Sequence, residues 1–164
     1  ERTTVIDVKR MLGMSAELPN LNDLIEEWKK LGIKIRSSND TKCFPRDKIE
    51  IEFKRNDEDV FYMSPEKLAG NYIKYLVKEV AEVELNQNQK VVITIPANYS
   101  SNQRKATLDA AEFAGFNKEN VTLLHEPSAA ALCYMMQNKR KPVSYNNLLV
   151  CDIGGGTFDH QKFP

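Results

Sequence analysis

The feature that most constrains the fold of this chain is a short apolar segment followed directly by an acidic residue and three glycines. Residues 147–151 lead into Asp152, and the positions that follow are Gly154, Gly155, Gly156, Thr157 and Asp159. Three consecutive glycines leave a turn without Cβ atoms, so its backbone N–H groups can close around an anion. Thr157 adds a hydroxyl, and the flanking carboxylates can hold a hydrated divalent cation against the same phosphate. The pattern predicts a phosphate site, and it lacks the G-x-x-x-x-G-K-[ST] signature of a P-loop.

The chain ends soon after this motif. Five residues follow Asp159, and residues 160–164 are mostly polar. A hairpin that grips a phosphate needs a returning strand, and these residues do not resemble an apolar one. We therefore expect the chain to end within the nucleotide site to which this phosphate-binding turn would belong.

Composition excludes several classes of protein. The chain has 164 residues, with 23 Lys and Arg against 23 Asp and Glu. Because these charges balance, the net electrostatic field does not favour binding to nucleic acid or to an anionic membrane surface. No apolar run approaches the roughly 18 residues of a membrane span. Cys43, Cys133 and Cys151 form no CxxC pair, and we expect the last two to be small buried side chains. A reducing cytoplasm is the expected compartment.

The order of apolar segments predicts an α/β fold. Residues 21–31 have helical periodicity and are followed by Gly32, and residues 49–63 are typical of a hairpin. Ser64 and Pro65 begin a long helix whose apolar face we expect to hold Leu68, Tyr72, Leu76, Val80 and Val83. From residue 91 onward, apolar strands alternate with helices, which indicates parallel strands joined by right-handed crossovers.

Two acids follow strands of this second part. Asp152 ends one strand and Glu126 ends the strand before it, so both are expected at the carboxyl edge of a sheet, where open α/β sheets bind ligands. Taken singly, Asp152 could cap a turn and Glu126 could stabilise a helix N-terminus. His125 is expected to be a hydrogen-bonded structural residue, and Lys9 by composition alone is a surface cation.

Five segments together resemble the ATPase domain of the seventy-kilodalton heat-shock chaperones, within the actin and hexokinase superfamily. They are TVIDVKRMLG at residues 4–13, VITIPA at 92–97, NQRKAT at 102–107, HEPSAAA at 125–131 and DIGGGTFD at 152–159. Their order and spacing agree with the family along nearly the whole chain. The resemblance implies a partial actin-like ATPase fold, with a ribonuclease H-like βα layer and a small α/β insertion subdomain.

The resemblance also implies a role for each motif residue. Lys9 would reach the γ-phosphate and orient the attacking water, and Glu126 and Asp152 would hold hydrated Mg²⁺ and water in line with it. Asp159 would assist near the transferring phosphate. The second phosphate hairpin would consist of Gly154, Gly155, Gly156 and Thr157. The interdomain switch would consist of Pro96 and Arg104.

The implied activity is Mg-ATP hydrolysis that drives binding and release of unfolded polypeptides, with J-domain co-chaperones and nucleotide exchange factors as partners. Residues 1–63 would be the small subdomain of the first lobe, residues 64–142 its long helix and βα layer, and residues 143–164 the start of the second lobe. Because the family's first phosphate hairpin and adenosine-binding lobe are not in this sequence, we expect the chain alone neither to bind ATP tightly nor to hydrolyse it.

The sequence departs from the family pattern at two positions near the motifs. His125 stands where the family usually has Asn, and Ser128 where it usually has Thr. Two other functions stay open: a divergent, non-hydrolysing relative that acts as an interaction module, and a sugar kinase of the same superfamily.

Overall fold

The structure, a computed structural model, describes residues 5, 7–15, 21–37, 49–55, 59–137, 147–153 and 158–163, with only the backbone described at 153, 158 and 159. Within these ranges the chain is an α/β protein, as predicted. None of the described helices combines the length and the apolar character that crossing a membrane would require.

The first part of the chain is a small α/β unit. Its elements are α1 (Val8–Met11), α2 (Leu21–Lys30), β1 (Ile35–Ser37), β2 (Ile49–Lys54) and β3 (Val60–Met63). The strands form an antiparallel sheet in the order β1-β2-β3, which includes the predicted hairpin. Burial of apolar area drives this packing, and the enclosed core contains Met11, Leu21, Trp28, Ile33, Ile49 and Ile51.

A long helix connects this unit to the rest. Ser64 caps α3 (Pro65–Tyr75) by accepting a hydrogen bond from the Lys67 backbone N–H, and a π-helical turn (Leu76–Val80) extends it. The predicted apolar face is wrong in part: Leu68 packs against the core of the first unit, but Tyr72 is 62% exposed and Val80 63%. The face that packs on α4 contains Gly70, Ile73 and Val77, and α4 lies so close to Gly70 that a Cβ there would be 2.6 Å from the carbonyl oxygen of Ala110.

The second part has the predicted βαβα order. It comprises β4 (Val91–Ile95), α4 (Ser101–Ala114), a 3₁₀ turn (Lys118–Asn120), β5 (Val121–His125) and α5 (Glu126–Gln137). β4 and β5 are parallel, in register from Val91 opposite Val121 to Ile95 opposite His125. Because both strands end at the same level, Pro96 and Glu126 follow them at one edge of the sheet.

The last two strands correct two expectations. β6 (Leu148–Ile153) and β7 (Phe158–Phe163) pair antiparallel over their whole length, so a returning strand is present. Backbone hydrogen bonds form this ladder, and they do not require apolar side chains. Among the described strands, β6 pairs with β7 and β5 with β4, so Glu126 and Asp152 are not at the ends of adjacent strands. Instead, α5 packs on both strands of the β6–β7 hairpin.

The expectation that Cys133 and Cys151 are buried is also wrong. Cys133 on α5 and Cys151 on β6 are both exposed, reduced thiols. Their neighbours in sequence are apolar, but the sides of α5 and β6 that carry them face outward. Cys43 lies outside the described residues.

Candidate functional site

An ion pair joins two parts of the described chain that are far apart in sequence. The Lys9 ammonium lies 2.7 Å from Oε1 of Glu126, although the residues are 117 positions apart. Lys9 belongs to α1, and Glu126 is the first residue of α5, directly after β5. The Lys9 side chain is 51% exposed and that of Glu126 is 21% exposed, so the pair lies open to a ligand.

Tyr99 connects this pair to the end of β4. Its hydroxyl donates to the backbone carbonyl oxygen of Lys9 at 3.2 Å, and its backbone N–H donates to the carbonyl of Pro96 at 3.3 Å. Burial, and secondarily the nearby Glu126 carboxylate, raise the pKa of Tyr99 to about 12. Both effects disfavour the phenolate, so the hydroxyl stays available as a donor to Lys9.

Arg104 lies on the other side of Tyr99. Its Nε donates to the carbonyl oxygen of Tyr99 at 3.1 Å, and its Nη2 lies 2.9 Å from Nε2 of His125. Ser100 and Gln103 form a capping box at the start of α4, just before Arg104. This cap fixes the position of the Arg104 backbone. The structure therefore brings Pro96, Arg104, Lys9 and Glu126 together, with Tyr99 in contact with three of them.

Tyr99 is a functional candidate that sequence reasoning missed. It is 9% exposed, and its only signal in the sequence is its place between Pro96 and Arg104. We expect Tyr99→Phe in this chain to lower the free energy of unfolding by about 1 kcal/mol, since one buried hydrogen bond is lost.

Alkaline titration of the same variant gives a second readout. The raised pKa makes the folded state bind its proton more tightly than the unfolded state, so this contribution to stability is intact below pH 10 and is lost as pH rises towards 12. Tyrosinate absorbance of the native chain should contain a late-titrating component that Tyr99→Phe removes. If the titration curves of the native chain and of Tyr99→Phe differ only by the loss of a component near pH 10, the assigned environment of Tyr99 is wrong.

The remaining predicted residues lie on or beside the β6–β7 hairpin. Asp152 is partly buried, and its backbone is directly opposite that of Asp159. Ser128, on the first turn of α5, donates a hydrogen bond to Oε1 of Gln161 at 3.3 Å, so the hairpin is attached next to Glu126. Gly154, Gly155, Gly156 and Thr157 lie outside the described residues, as does the side chain of Asp159.

The acids suit a magnesium ion bound through water. Among the described side chains, no three His, Cys, Asp or Glu groups cluster as a fully protein-bound metal would require. Mg²⁺ keeps several waters and takes one or two carboxylates together with substrate phosphates. Glu126 and Asp152, on the packed elements α5 and β6, supply carboxylates of the kind such a site uses.

The site places a cation, a carboxylate and a neutral donor at one sheet edge. A lysine ammonium can stabilise negative charge on a phosphoryl oxygen, and a carboxylate can orient a water by accepting its proton in a hydrogen bond. The pair is therefore suited to positioning and charge stabilisation at a phosphate.

Comparison with known proteins identifies the family to which the chain belongs. A family model described as "Hsp70 protein" matches residues 1–161. Similar relatives include a protein of Pyricularia oryzae named as a heat shock protein, 32% identical over 157 residues, and "Chaperone protein dnaK" of Thalassiosira pseudonana, 34% identical over 157 residues. Each alignment covers 95% of this chain and 23% of the relative. "Chaperone protein DnaK" of Mycoplasma mycoides is 43% identical over 97 residues, which are 58% of this chain and 15% of that protein. The chain thus spans under a quarter of the length of these relatives.

Proposed function

The chain belongs to the Hsp70 family and corresponds to part of a heat-shock chaperone ATPase domain, and we propose that it contributes the residues that promote hydrolysis at a Mg-ATP site. The observation that carries this proposal is the contact between Lys9 and Glu126. Two residues 117 positions apart meet at 2.7 Å, at the sheet edge where β4 and β5 both end.

The roles follow from the chemistry of the side chains. Lys9 donates to a γ-phosphate oxygen and so stabilises the charge that develops during transfer to water. Glu126 orients the attacking water, and the Tyr99 hydroxyl holds the backbone of Lys9 by a hydrogen bond to its carbonyl oxygen. Phosphoryl transfer requires little more of a protein than such positioning and charge stabilisation.

Metal and nucleotide would be held by neighbouring groups. Asp152, together with Glu126 through water, would hold Mg²⁺, which when bound neutralises charge on the β- and γ-phosphates. The backbone of residues 154–157 would cradle a phosphate, with Thr157 adding a hydroxyl and Asp159 assisting beside it. ATP and ADP are the proposed nucleotides.

The proposed biological role is that of a chaperone. The relatives are named as heat-shock and chaperone proteins, which supports unfolded polypeptides as clients, with J-domain proteins and exchange factors as partners. Pro96 and Arg104 would transmit the nucleotide state, since both contact the backbone of Tyr99. We place the protein in the cytoplasm, where the exposed thiols of Cys133 and Cys151 stay reduced.

A hybrid protein tests the proposal. In it, this chain replaces the matching segment of the Thalassiosira pseudonana relative, and hydrolysis is measured with and without Mg²⁺. We expect Mg²⁺-dependent release of phosphate and tight nucleotide binding. Nucleotide binding without hydrolysis would instead support a non-hydrolysing interaction module, and phosphate transfer to a hexose or glycerol would support a sugar kinase.

A further inference from the structure

His125 takes part in a closed ring of contacts that includes the Lys9–Glu126 pair. From His125 the ring passes to the Arg104 guanidinium at 2.9 Å, then to the carbonyl oxygen of Tyr99 at 3.1 Å. The Tyr99 hydroxyl continues to the backbone of Lys9 at 3.2 Å, and the Lys9 ammonium reaches Glu126 at 2.7 Å. Glu126 is covalently bonded to His125, which closes the ring.

The chemistry of Arg104 fixes the form of the histidine. A guanidinium has five N–H donors and no acceptor. Its contact with Nε2 of His125 is therefore a hydrogen bond only if Nε2 carries a lone pair and the ring proton is on Nδ1. That assigns Nε2 of His125 as the acceptor of this hydrogen bond.

We propose that His125 is a positioning residue: as the Nδ1–H tautomer it holds Arg104 against the carbonyl of Tyr99, and through Tyr99 it fixes Lys9 relative to Glu126. Only the consequence for turnover rests on the proposed function; the ring itself rests on the four contacts. The side-chain hydrogen bond of His125 goes to Arg104, and so the histidine acts on Lys9 and Glu126 through the arginine.

The proposal explains why this position tolerates a histidine. The resemblance identifies Asn as the usual residue there, and Asn also offers an acceptor, its Oδ1. The requirement at residue 125 is then an acceptor for Arg104, whatever its shape. A side chain of similar size without a hydrogen-bond acceptor should therefore not hold Arg104 in place.

The tautomer is measured directly by two-bond ¹H–¹⁵N correlation spectra of the 164-residue chain labelled at histidine nitrogen. The sequence has two histidines, and His160→Asn assigns the two spectra. From the contact with Arg104 we expect His125 to show a protonated Nδ1 and an unprotonated Nε2. Arg104→Met should shift His125 towards the Nε2–H form and leave His160 unchanged.

A protonated Nε2 on His125 in the native chain would overturn the proposal without any variant. So would an Nδ1–H tautomer that persists fully in a folded Arg104→Met chain, because Arg104 would then not be its cause.

Turnover in the hybrid protein tests the functional half. We expect His125→Phe to lower kcat for ATP about tenfold with KM nearly unchanged, since misplacing a positioned group affects the chemical step most. His125→Asn should restore most of kcat, because it restores the acceptor. Equal loss in both variants, or equal retention, would contradict the positioning role. If the unmodified hybrid binds no ATP, the proposed function fails while the tautomer measurement still decides the ring.

Discussion

Replacing Lys9 by alanine in the hybrid protein is expected to lower kcat for ATP at least about 100-fold, while the nucleotide Kd changes by less than about threefold. Removing one preorganised donor from a developing negative charge typically costs a hundredfold or more in rate. Lys9 is suited to that role because its half-exposed ammonium faces outward beside Glu126. Nucleotide binding is expected to change little, because the proposed role of Lys9 lies at the transferring phosphate. Single-turnover hydrolysis and calorimetric titration measure the two quantities separately.

The chain offers a matched control for this experiment. Lys29 forms an ion pair with Glu26 at the same distance, 2.7 Å, but on the exposed surface of α2. Lys29→Ala removes an equivalent ion pair and should leave kcat within about twofold, because a surface ion pair contributes little. If the two lysine variants behave alike, the contact between Lys9 and Glu126 has no special function.

Gly13→Ala is expected to lower the free energy of unfolding of this chain by about 3 kcal/mol. Gly13 has a φ of +70°, a region that costs other residues about 1–2 kcal/mol. A Cβ there would also lie 2.6 Å from the backbone nitrogen of Gln103 and 2.7 Å from backbone atoms of Asn102. Overpacking of this kind adds about 1–3 kcal/mol, and urea unfolding measures the sum.

Two other glycines separate the backbone and packing contributions. Gly32 has a φ of +78° and no atom within 4 Å of the point that a Cβ would occupy, so Gly32→Ala should lose only the backbone contribution. Gly70→Ala tests packing without a positive φ, because its Cβ would lie 2.6 Å from the carbonyl oxygen of Ala110 and from Cβ of Phe113 within the α3–α4 contact. The higher helix propensity of alanine offsets about 1 kcal/mol of that cost. A Gly13→Ala chain as stable as Gly32→Ala would show that the turn after α1 does not press against α4.

Elements defined by local pattern could be predicted from the sequence. The β2–β3 hairpin follows from alternating apolar residues, and the β4–α4–β5–α5 order follows from apolar strands separated by helical segments. Both depend on neighbours in sequence. The helix cap at Ser64 is equally local, since its hydroxyl binds a backbone N–H three residues away.

Features that depend on distant partners could not be predicted from pattern. The packed face of α3 is selected by the close approach of α4 at Gly70, and so the larger apolar residues Tyr72 and Val80 are left exposed. The importance of Tyr99 depends on a carbonyl 90 positions away in Lys9. Periodicity carries no information on either contact. Lys9 itself was singled out by family resemblance, because a basic residue on a short helix is ordinarily a surface cation.

The central claim is that Lys9 and Glu126 act as one unit in ATP hydrolysis, and a double-mutant cycle tests it most directly. Single-turnover hydrolysis is measured for the hybrid protein with Lys9→Met, with Glu126→Gln, and with both. Residues that act together show strongly non-additive losses. We expect the double variant to be within about threefold of the slower single variant, with each single variant at least about 100-fold below the unmodified hybrid. Losses that multiply in the double variant, or single variants that hydrolyse ATP at the unmodified rate, would contradict the claim.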